Sequence, residues 1–513
     1  TIEILKISES GIFEVADGKY SKTYRFSDVN YATRSEDEQE SFFQRYCRCL
    51  NSFDCTFKIT VNNKNKDMDV LRNEVMLKYR NDGFDKMRES YNRIIEDKIL
   101  EGRQGIEQER YLTITIERKN FEEAKAQFAT IEASMFRSFA ELGSKLTPLT
   151  GNERLKILHD YYRLGREDEF NFDIRQGRIT GTDFRNEICN TRIKYHPDYF
   201  EDEGKVGRVL FIKKYPTYLS DRFFTELTFL PVHSVTSVDV VPVPKDLTMK
   251  MLQKKYLGIE SDIIKQQRTR NRNNDFSSDI SYATRQKKKD IEEIMNNVRE
   301  NDESLYYVSV TMIVMADNRD ELESICETVD SIAKGAGCAV DTCMYKQREA
   351  VNTTLPIGVR QIETMRTMLT QSLAVLMPFN VQELCDRNGI YYGVNQISKN
   401  IIVGNRKKLL NGNGFIFGVS GAGKSFQAKM EMGAVLLSTD DNVIAVDPMN
   451  EYEDVTEKYN GTYINISTNT RNYINPMDMD VWNLDVLDSK GWVRDKCQFM
   501  LSICEQIMKE ITP

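Results

Sequence analysis

The chain has little of what metal centres and disulfide scaffolds are built from. Only three histidines occur in 513 residues (His159, His196 and His233), and none of the ten cysteines forms a C-x-x-C pair. A His/Cys zinc site is therefore not expected. The cysteines are scattered, at 47, 49, 55, 189, 326, 338, 343, 385, 497 and 504. In a chain this large they read as reduced thiols in a cytosol, because disulfide frameworks belong to small secreted domains. No apolar run approaches the roughly 18 residues needed to cross a bilayer. Residues 372–379 and 443–446, among the longest, are of buried-strand length. With 11 Pro, 27 Gly and no low-complexity tract, a fibrous or linker-like chain is excluded. A net charge of −8 sets the chain against a general nucleic-acid coat. No secretory leader is visible, and Thr1 in place of Met points to a boundary inside a longer reading frame.

What is present is a globular balance, 40% hydrophobic and 29% charged. At roughly 150 residues per domain the length suggests about three domains. The expected divisions are 1–233, 234–385 and 386–513. A weak internal repeat organises the first two. One copy starts with the alternating strand 57–62 (FKITVN). It continues through a charged helix over 82–100, the strand 111–117 (YLTITIE), a helix over 120–142 and a short strand over 145–149. The second copy starts at 234–243 (SVTSVDVVPV). It runs through a long helical region to the strand 305–315 (LYYVSVTMIVM), a helix over 318–334 and a strand over 339–345. Strands alternate with period two and helices with a period near 3.6. Asn120 and Asn318 are good helix N-caps, and Gly143, Gly335 and Gly337 are natural stops. A duplicated β-α-β-α-β module in an α/β region is the expectation.

The second copy carries a basic insert within 250–303. From 250 to 289 there are eleven Lys or Arg against four Asp or Glu, concentrated in 265–275 (KQQRTRNRNND) and 285–290 (RQKKKD). Such a run suits nucleic acid or acidic lipid heads, and equally a solvated helical arm.

The residues that carry chemistry come later. Gly418, Val419, Ser420, Gly421, Ala422, Gly423, Lys424 and Ser425 match G-x-x-x-x-G-K-[ST] at every fixed position. Glycines permit torsions that turn successive backbone N–H groups into an anion nest. A helix starting at the loop adds the positive end of its dipole. Lys424 is placed to reach the β- and γ-phosphates and the Ser425 hydroxyl to ligate Mg²⁺, and Phe426 is the last of the candidate cofactor-binding residues. The context fits: 414–418 (GFIFG) reads as a buried strand leading in, and 426–437 as an uninterrupted helix leading out.

After a turn at Asp441-Asn442, residues 442–446 (NVIAV) read as another strand, ending in Asp447-Pro448-Met449-Asn450-Glu451-Tyr452. Asp447 could be the magnesium-shell carboxylate of a Walker B strand. The favoured alternative is a strand adjacent to the loop strand, its tip presenting Asp447, through water to Mg²⁺, and Glu451 as a candidate catalytic acid. Only 22 residues intervene between Lys424 and Asp447, whereas in P-loop ATPases with a catalytic glutamate a strand usually intervenes before Walker B. Glu451 has a plain reading as well, as an acid serving a helix dipole. Residues 474–480 (INPMDMD) hold two acids but lack the ligand spacing of a metal loop.

With these motifs in view, the sequence resembles the VirB-four-type ATPases of type IV secretion and conjugation machines, in the form found in Gram-positive conjugative elements. The resemblance runs through 22–32 (KTYRFSDVNYA), 388–425, 443–452 (VIAVDPMNEY), 474–480 and 499–508 (FMLSICEQIM). The glycine loop alone would be generic, whereas its combination with D-P-x-x-E-Y and I-N-P-M-D is more specific. Met449 and Asn450 stand where charged residues are commoner in the family. The resemblance implies a RecA-like P-loop domain beginning near Gly389 and a docking region before it. It implies ATP and Mg²⁺ as ligands, hexamer formation, and a cytoplasmic place at the inner face of the membrane beside other secretion components. It also implies that the Walker B pair, the sensor and the trans-acting arginine lie beyond Pro513, so this stretch alone is expected to bind ATP weakly and hydrolyse almost none. Two other readings stand beside it: a helicase-type motor gripping DNA through 265–289, and a scaffold whose assembly nucleotide merely switches.

Overall fold

Alternating residues along the strands decide how this chain packs. In the computed structural model, residues 2–511 are described except 66–71, 74, 102–105, 191, 217, 273–281, 301–302, 387, 397–399, 468–469, 471, 473–474 and 479–488. The described strands are β1 (Lys6–Ile7), β2 (Ile12–Ala16), β3 (Lys19–Phe26), β4 (Thr56–Asn65), β5 (Ile106–Glu117), β6 (Leu146–Pro148), β7 (Ile193–Tyr195), β8 (Phe200–Asp202), β9 (Lys205–Lys214), β10 (Ser234–Val243), β11 (Leu305–Ala316), β12 (Ala339–Thr342), β13 (Arg366–Leu369), β14 (Ile390–Val394) and β15 (Ile401–Gly404). The first thirteen form one antiparallel sheet in the order β1-β2-β3-β5-β4-β10-β11-β9-β8-β7. Off this path, β6 pairs with β3, β12 with β9 and β13 with β11. The architecture is thus mixed α/β around a large antiparallel sheet.

The same element order occurs twice. In the first copy, β2-β3 is followed by helix Glu36–Asn51, β4, helix Asp85–Glu101, β5, helix Phe121–Leu142, β6 and helix Gly151–Tyr162. In the second, β8-β9 is followed by helix Arg222–Thr228, β10, helices Lys245–Arg272 and Tyr282–Glu300, β11, helix Arg319–Gly335, β12 and helix Gln347–Thr354. Each copy therefore extends one hairpin further upstream than the sequence pattern suggested. The copies share a single sheet because β4 pairs with β10, Thr60 opposite Ser237. The symmetry reaches the flanks: β2 and β6 pair along β3, and β8 and β12 along β9.

Local chemistry sets the helix ends. Asn120 accepts a hydrogen bond from the Glu123 amide and Asn318 one from the Glu321 amide, each capping its helix at 2.9 Å. Gly143 ends the first of these helices in the left-handed conformation (φ 79°).

One sheet face is apolar. Phe57, Ile59 and Val61 of β4, Leu112, Ile114 and Ile116 of β5, and Val308, Val310 and Met312 of β11 are buried with Phe42, Phe128, Phe139, Phe223 and Leu322 of the covering helices. At roughly 1.5–3 kcal/mol for each fully buried large apolar side chain, this layer is the main stabilising term. The opposite face is polar at its centre. There Ser21, Thr23, Lys58, Thr60, Thr113, Ser237 and Asp239 are buried.

A strap over residues 353–361 covers that polar centre and draws its hydrogen bonds from it. Ser21 donates to the Ile357 carbonyl (2.6 Å), Thr23 to Pro356 (3.2 Å), Thr115 to Gly358 (3.2 Å) and Lys58 to Val359 (3.1 Å). Arg154, buried with its guanidinium 3.9 Å from the Phe13 ring centroid, donates to the carbonyls of Gly11 and Ser21 at 2.8 and 2.9 Å. Gly358 sits at φ 91°, and a Cβ there would lie 2.7 Å from the Ser21 Cβ, so the strap approaches the sheet only through glycine.

Two expected strands, and one apolar run of strand length, are not strands. Residues 414–418 and 442–446 make no ladder. Phe415, Phe417, Ile444 and Val446 are 84%, 87%, 93% and 92% exposed. They have the composition of strands buried on both faces, but a ladder forms only against a neighbouring strand, and the described residues offer none there. Residues 372–379 become the helix Thr370–Ala374 and an irregular stretch rather than a strand. Pro378 removes a backbone donor there.

By its contacts the chain divides into two compact units. One is Thr1–Met76 with Ser90–Asn413; the other is Leu77–Glu89 with Gly414–Pro513. The antiparallel pair β14 and β15 falls in the first. Among the described residues no helix is long and apolar enough to cross a membrane.

Candidate functional site

The glycine loop is shaped by two residues in the left-handed region. Gly421 has φ 81° and Gly423 φ 86°, with nothing within 4 Å of the place of a Cβ at either. Their requirement is one of backbone torsion, worth about 1–2 kcal/mol against any L-residue. Ala422 between them is outside that region. Such alternation of hands directs successive N–H groups to one side.

The helix Lys424–Ser438 begins at once. Its N-cap is Gly423, which brings no side chain to the first-turn amides. The Gln427 amide donates to the Gly423 carbonyl (2.9 Å), which opens the helical ladder. The amides of Lys424, Ser425 and Phe426 precede that ladder and remain for an outside acceptor. A run free of Pro, rich in Ala, Met and Leu, carries the helix on, and Gly433, Ala434 and Leu437 are its buried face.

Lys424 folds back over the loop. Its Nζ donates to the carbonyls of Gly418 and Val419, both at 2.9 Å. A Cβ at Gly418 would stand 3.3 Å from the Lys424 Cγ, so the glycine leaves room for that arc. The residues from Gly418 to Lys424 are exposed, Ser425 is half-buried, and Phe426 is exposed. An exposed ammonium held only by neutral carbonyls exchanges them readily for an anion, because charge-assisted hydrogen bonds are about twice as strong.

Asp447 lies in a tight turn rather than at a strand tip. Its Oδ2 accepts from the Tyr452 amide at 2.9 Å, and Asn450 between them is left-handed (φ 61°). Tyr452 in turn meets the glycine-loop helix: Lys429 Nζ stands 5.8 Å from its ring centroid. Further along, a Cβ at Gly433 would come within 2.8 Å of the Tyr459 hydroxyl. The turn bearing Asp447 therefore packs on the helix that starts at Lys424. Glu451 is exposed, two residues before the short helix Glu453–Lys458.

The uncapped first-turn amides, Lys424 and the Ser425 hydroxyl are the chemistry a phosphate chain with its magnesium ion would need, and the backbone conformation at 421 and 423 requires glycine. Among the described residues no group of three His, Cys, Asp or Glu could hold a metal by itself. Ser425 would be a ligand on the nucleotide's own ion, and Asp447 would act through water.

Other candidates resolve into structure. Lys288 pairs with Glu260 (3.1 Å) and lies 5.1 Å from the Tyr256 ring centroid, so part of the basic insert holds a helical hairpin together. The middle of that insert, 273–281, and parts of 474–480 lie outside the described residues. A cleft of about 340 Å³ beside β3 and β5 is lined by Arg25, Asp28, Glu109 and Arg110, among others. Both of its arginines are paired within it, Arg110 with Asp28 at 2.6 Å and Arg25 with Glu109 at 3.2 Å.

No known protein-family model matches the chain, and no curated protein matches its sequence.

Proposed function

We propose that this chain is the ATP-binding motor subunit of a type IV secretion or conjugative transfer machine, with its nucleotide held at residues 418–426. One observation carries the nucleotide reading. Two left-handed glycines set the uncapped amides of Lys424, Ser425 and Phe426 at a helix start, beneath a lysine bound only to loop carbonyls. The wider assignment rests on the joint presence of the glycine loop, D-P-M-N-E-Y and I-N-P-M-D.

In this reading the loop amides orient the phosphate chain, and Lys424 leaves Gly418 and Val419 to neutralise the β- and γ-phosphates. Ser425 supplies a hydroxyl ligand to magnesium, which spreads the charge of the phosphoryl oxygens when bound. Asp447, positioned by the Tyr452 amide, orients magnesium-bound water, and Glu451 is the nearby candidate to orient an attacking water. The motor domain is of the RecA-like kind in this proposal. The protein works as a hexamer, in the cytoplasm, against the inner face of the membrane with other secretion components.

The test is an equilibrium titration of the full chain with a fluorescent ATP analogue and Mg²⁺. The proposal expects saturable binding that Lys424→Ala weakens at least tenfold, and a magnesium dependence that Ser425→Ala reduces. Equal binding by wild type and Lys424→Ala contradicts it.

A further inference from the structure

The helix that starts at the glycine loop ends at Ser438, and two arginines from far upstream meet its last carbonyls. Arg88 Nε donates to the Leu437 carbonyl at 3.1 Å, across 349 positions of sequence. Arg80 donates to the Ser438 carbonyl at 2.6 Å, the Thr439 carbonyl at 3.3 Å and the Asp440 carboxylate at 2.8 Å. Both arginines belong to Leu77–Glu89, which groups with the second unit while the chain on either side of it groups with the first.

The segment is built to present these two groups. Arg88 is fully buried. Its charge is met by Asp82, at 2.6 Å to both carboxylate oxygens, and by Asp85 at 2.8 Å. Asp85 also accepts from the amides of Arg80 and Asn81, both at 3.0 Å. Left-handed Asn81 (φ 55°) and Gly83 (φ 91°) make the turn between them. The hydrogen bond from Arg88 holds the Asp82 carboxyl below the usual carboxylate range, so the cluster stays ionised at neutral pH. Phe84 adds an aromatic contact to Tyr459, 5.8 Å between centroids.

Guanidinium groups at a helix C-terminus complement its dipole. Fifteen residues of helix place them about 20 Å from the first-turn amides, beyond the Debye length of about 8 Å. Their action on a bound phosphate is therefore positional. A helix of this length is marginal by itself, so tying one end orders the other. Phosphate at the first turn orders the same element, and two events that share one ordering cost favour each other. The segment also leads onward: helix Asp85–Glu101 starts within it, and from Ser90 the helix belongs to the first unit, where Tyr91, Ile95 and Ile99 are buried.

We propose that Arg80 and Arg88 are positioning residues for the nucleotide site, and that clamping of the helix C-terminus by Leu77–Glu89 is reciprocally coupled to phosphate binding at its N-terminus. This rests on the nucleotide-binding reading above. It makes Leu77–Glu89 the element through which nucleotide occupancy is passed along the chain.

The test uses the full chain and Mg·ATPγS, with affinity read by titration and the amides of Arg80 and Asn81 by hydrogen exchange. Arg80→Ala is the decisive variant, because that side chain is partly exposed and its loss does not empty the core. Arg88→Ala is the stronger but riskier one. Arg80→Ala is expected to weaken Mg·ATPγS roughly fivefold, the low end of coupling between sites. Nucleotide should slow exchange at Arg80 and Asn81 in the wild type by a similar factor, as linkage requires, and not in Lys424→Ala. Arg80→Lys should recover part of the affinity. If Arg80→Ala binds like wild type, or exchange in 77–89 ignores nucleotide, the coupling is overturned while nucleotide binding stands. If wild type does not bind Mg·ATPγS at all, the nucleotide reading fails and the coupling with it.

Discussion

Lys58 and Asp239 face each other across the seam where the two copies of the repeat join, with Nζ and Oδ2 3.8 Å apart and both side chains buried. Burial lowers the lysine pKa from its ordinary value, and Asp239 pulls it back up. The ammonium also donates to the carbonyls of Thr353 and Val359 in the strap. Asp239 Oδ2 has no hydrogen-bond partner, so this is a pair of charges more than a bonded bridge. Asp239→Ala leaves a buried ammonium without its counter-ion, and a loss of about 3–5 kcal/mol in urea unfolding is expected. The double change Lys58→Met, Asp239→Leu should cost clearly less than the single one, because it removes both charges.

Acid should weaken the first unit through His233. The ring is buried and stacked 6.5 Å from Tyr161, and neither nitrogen has a partner. Burial, with Lys205 adding, pushes its pKa down to about 4. The folded state holds the ring neutral while the unfolded chain protonates near 6.5, so stability falls as pH drops from 6.5 towards 4. By pH 5 the loss is about 2 kcal/mol relative to pH 7. Asp202, pushed up to about 6 by burial, acts in the opposite sense, gaining stability as pH falls from 6. Comparison of wild type with His233→Phe isolates the histidine. The variant should lose less of its urea midpoint between pH 7 and pH 5.

Gly423→Ala separates backbone torsion from packing. Nothing crowds the position, so the expected cost is the strain alone, about 1–2 kcal/mol. Relief of that strain would flatten the loop and turn its amides away. Affinity for Mg·ATPγS should fall at least tenfold in titration, while the nucleotide-free melting temperature moves by only a few degrees.

Much of the fold could be read before the structure, and the reasons are local. Helices Phe121–Leu142 and Arg319–Gly335 announce themselves by an asparagine cap and glycine at or just past the end, and β10 by its run of β-branched valines. The glycine loop is legible because its torsions admit few residues other than glycine. The strap over 353–361 has no period, since its order comes from side chains such as Ser21 and Lys58 hundreds of residues away. The arginine clamp is hidden for the same reason: residues 80–88 (RNDGFDKMR) look like a solvated turn until Leu437 and Ser438 are brought to them. Residues 414–418 and 442–446 have strand composition without a strand, because composition states a preference and a ladder needs a neighbour.

Those two segments give a further prediction. Phe415, Phe417, Ile444 and Val446 are exposed, so replacing each by Ser should change the unfolding free energy by no more than about 0.5 kcal/mol. Binding of a hydrophobic dye to the native protein should fall when all four are replaced, because each is a large apolar side chain open to solvent, Phe415 and Phe417 stacked 5.7 Å apart.

The most direct measurement is a structure of the full chain with Mg·ATPγS. Lys424 Nζ should have left the Gly418 and Val419 carbonyls, now 2.9 Å away, for the γ-thiophosphate, with the amides of residues 421–426 around the phosphates. A nucleotide bound elsewhere, or a Lys424 still seated on those carbonyls with nucleotide present, contradicts the account.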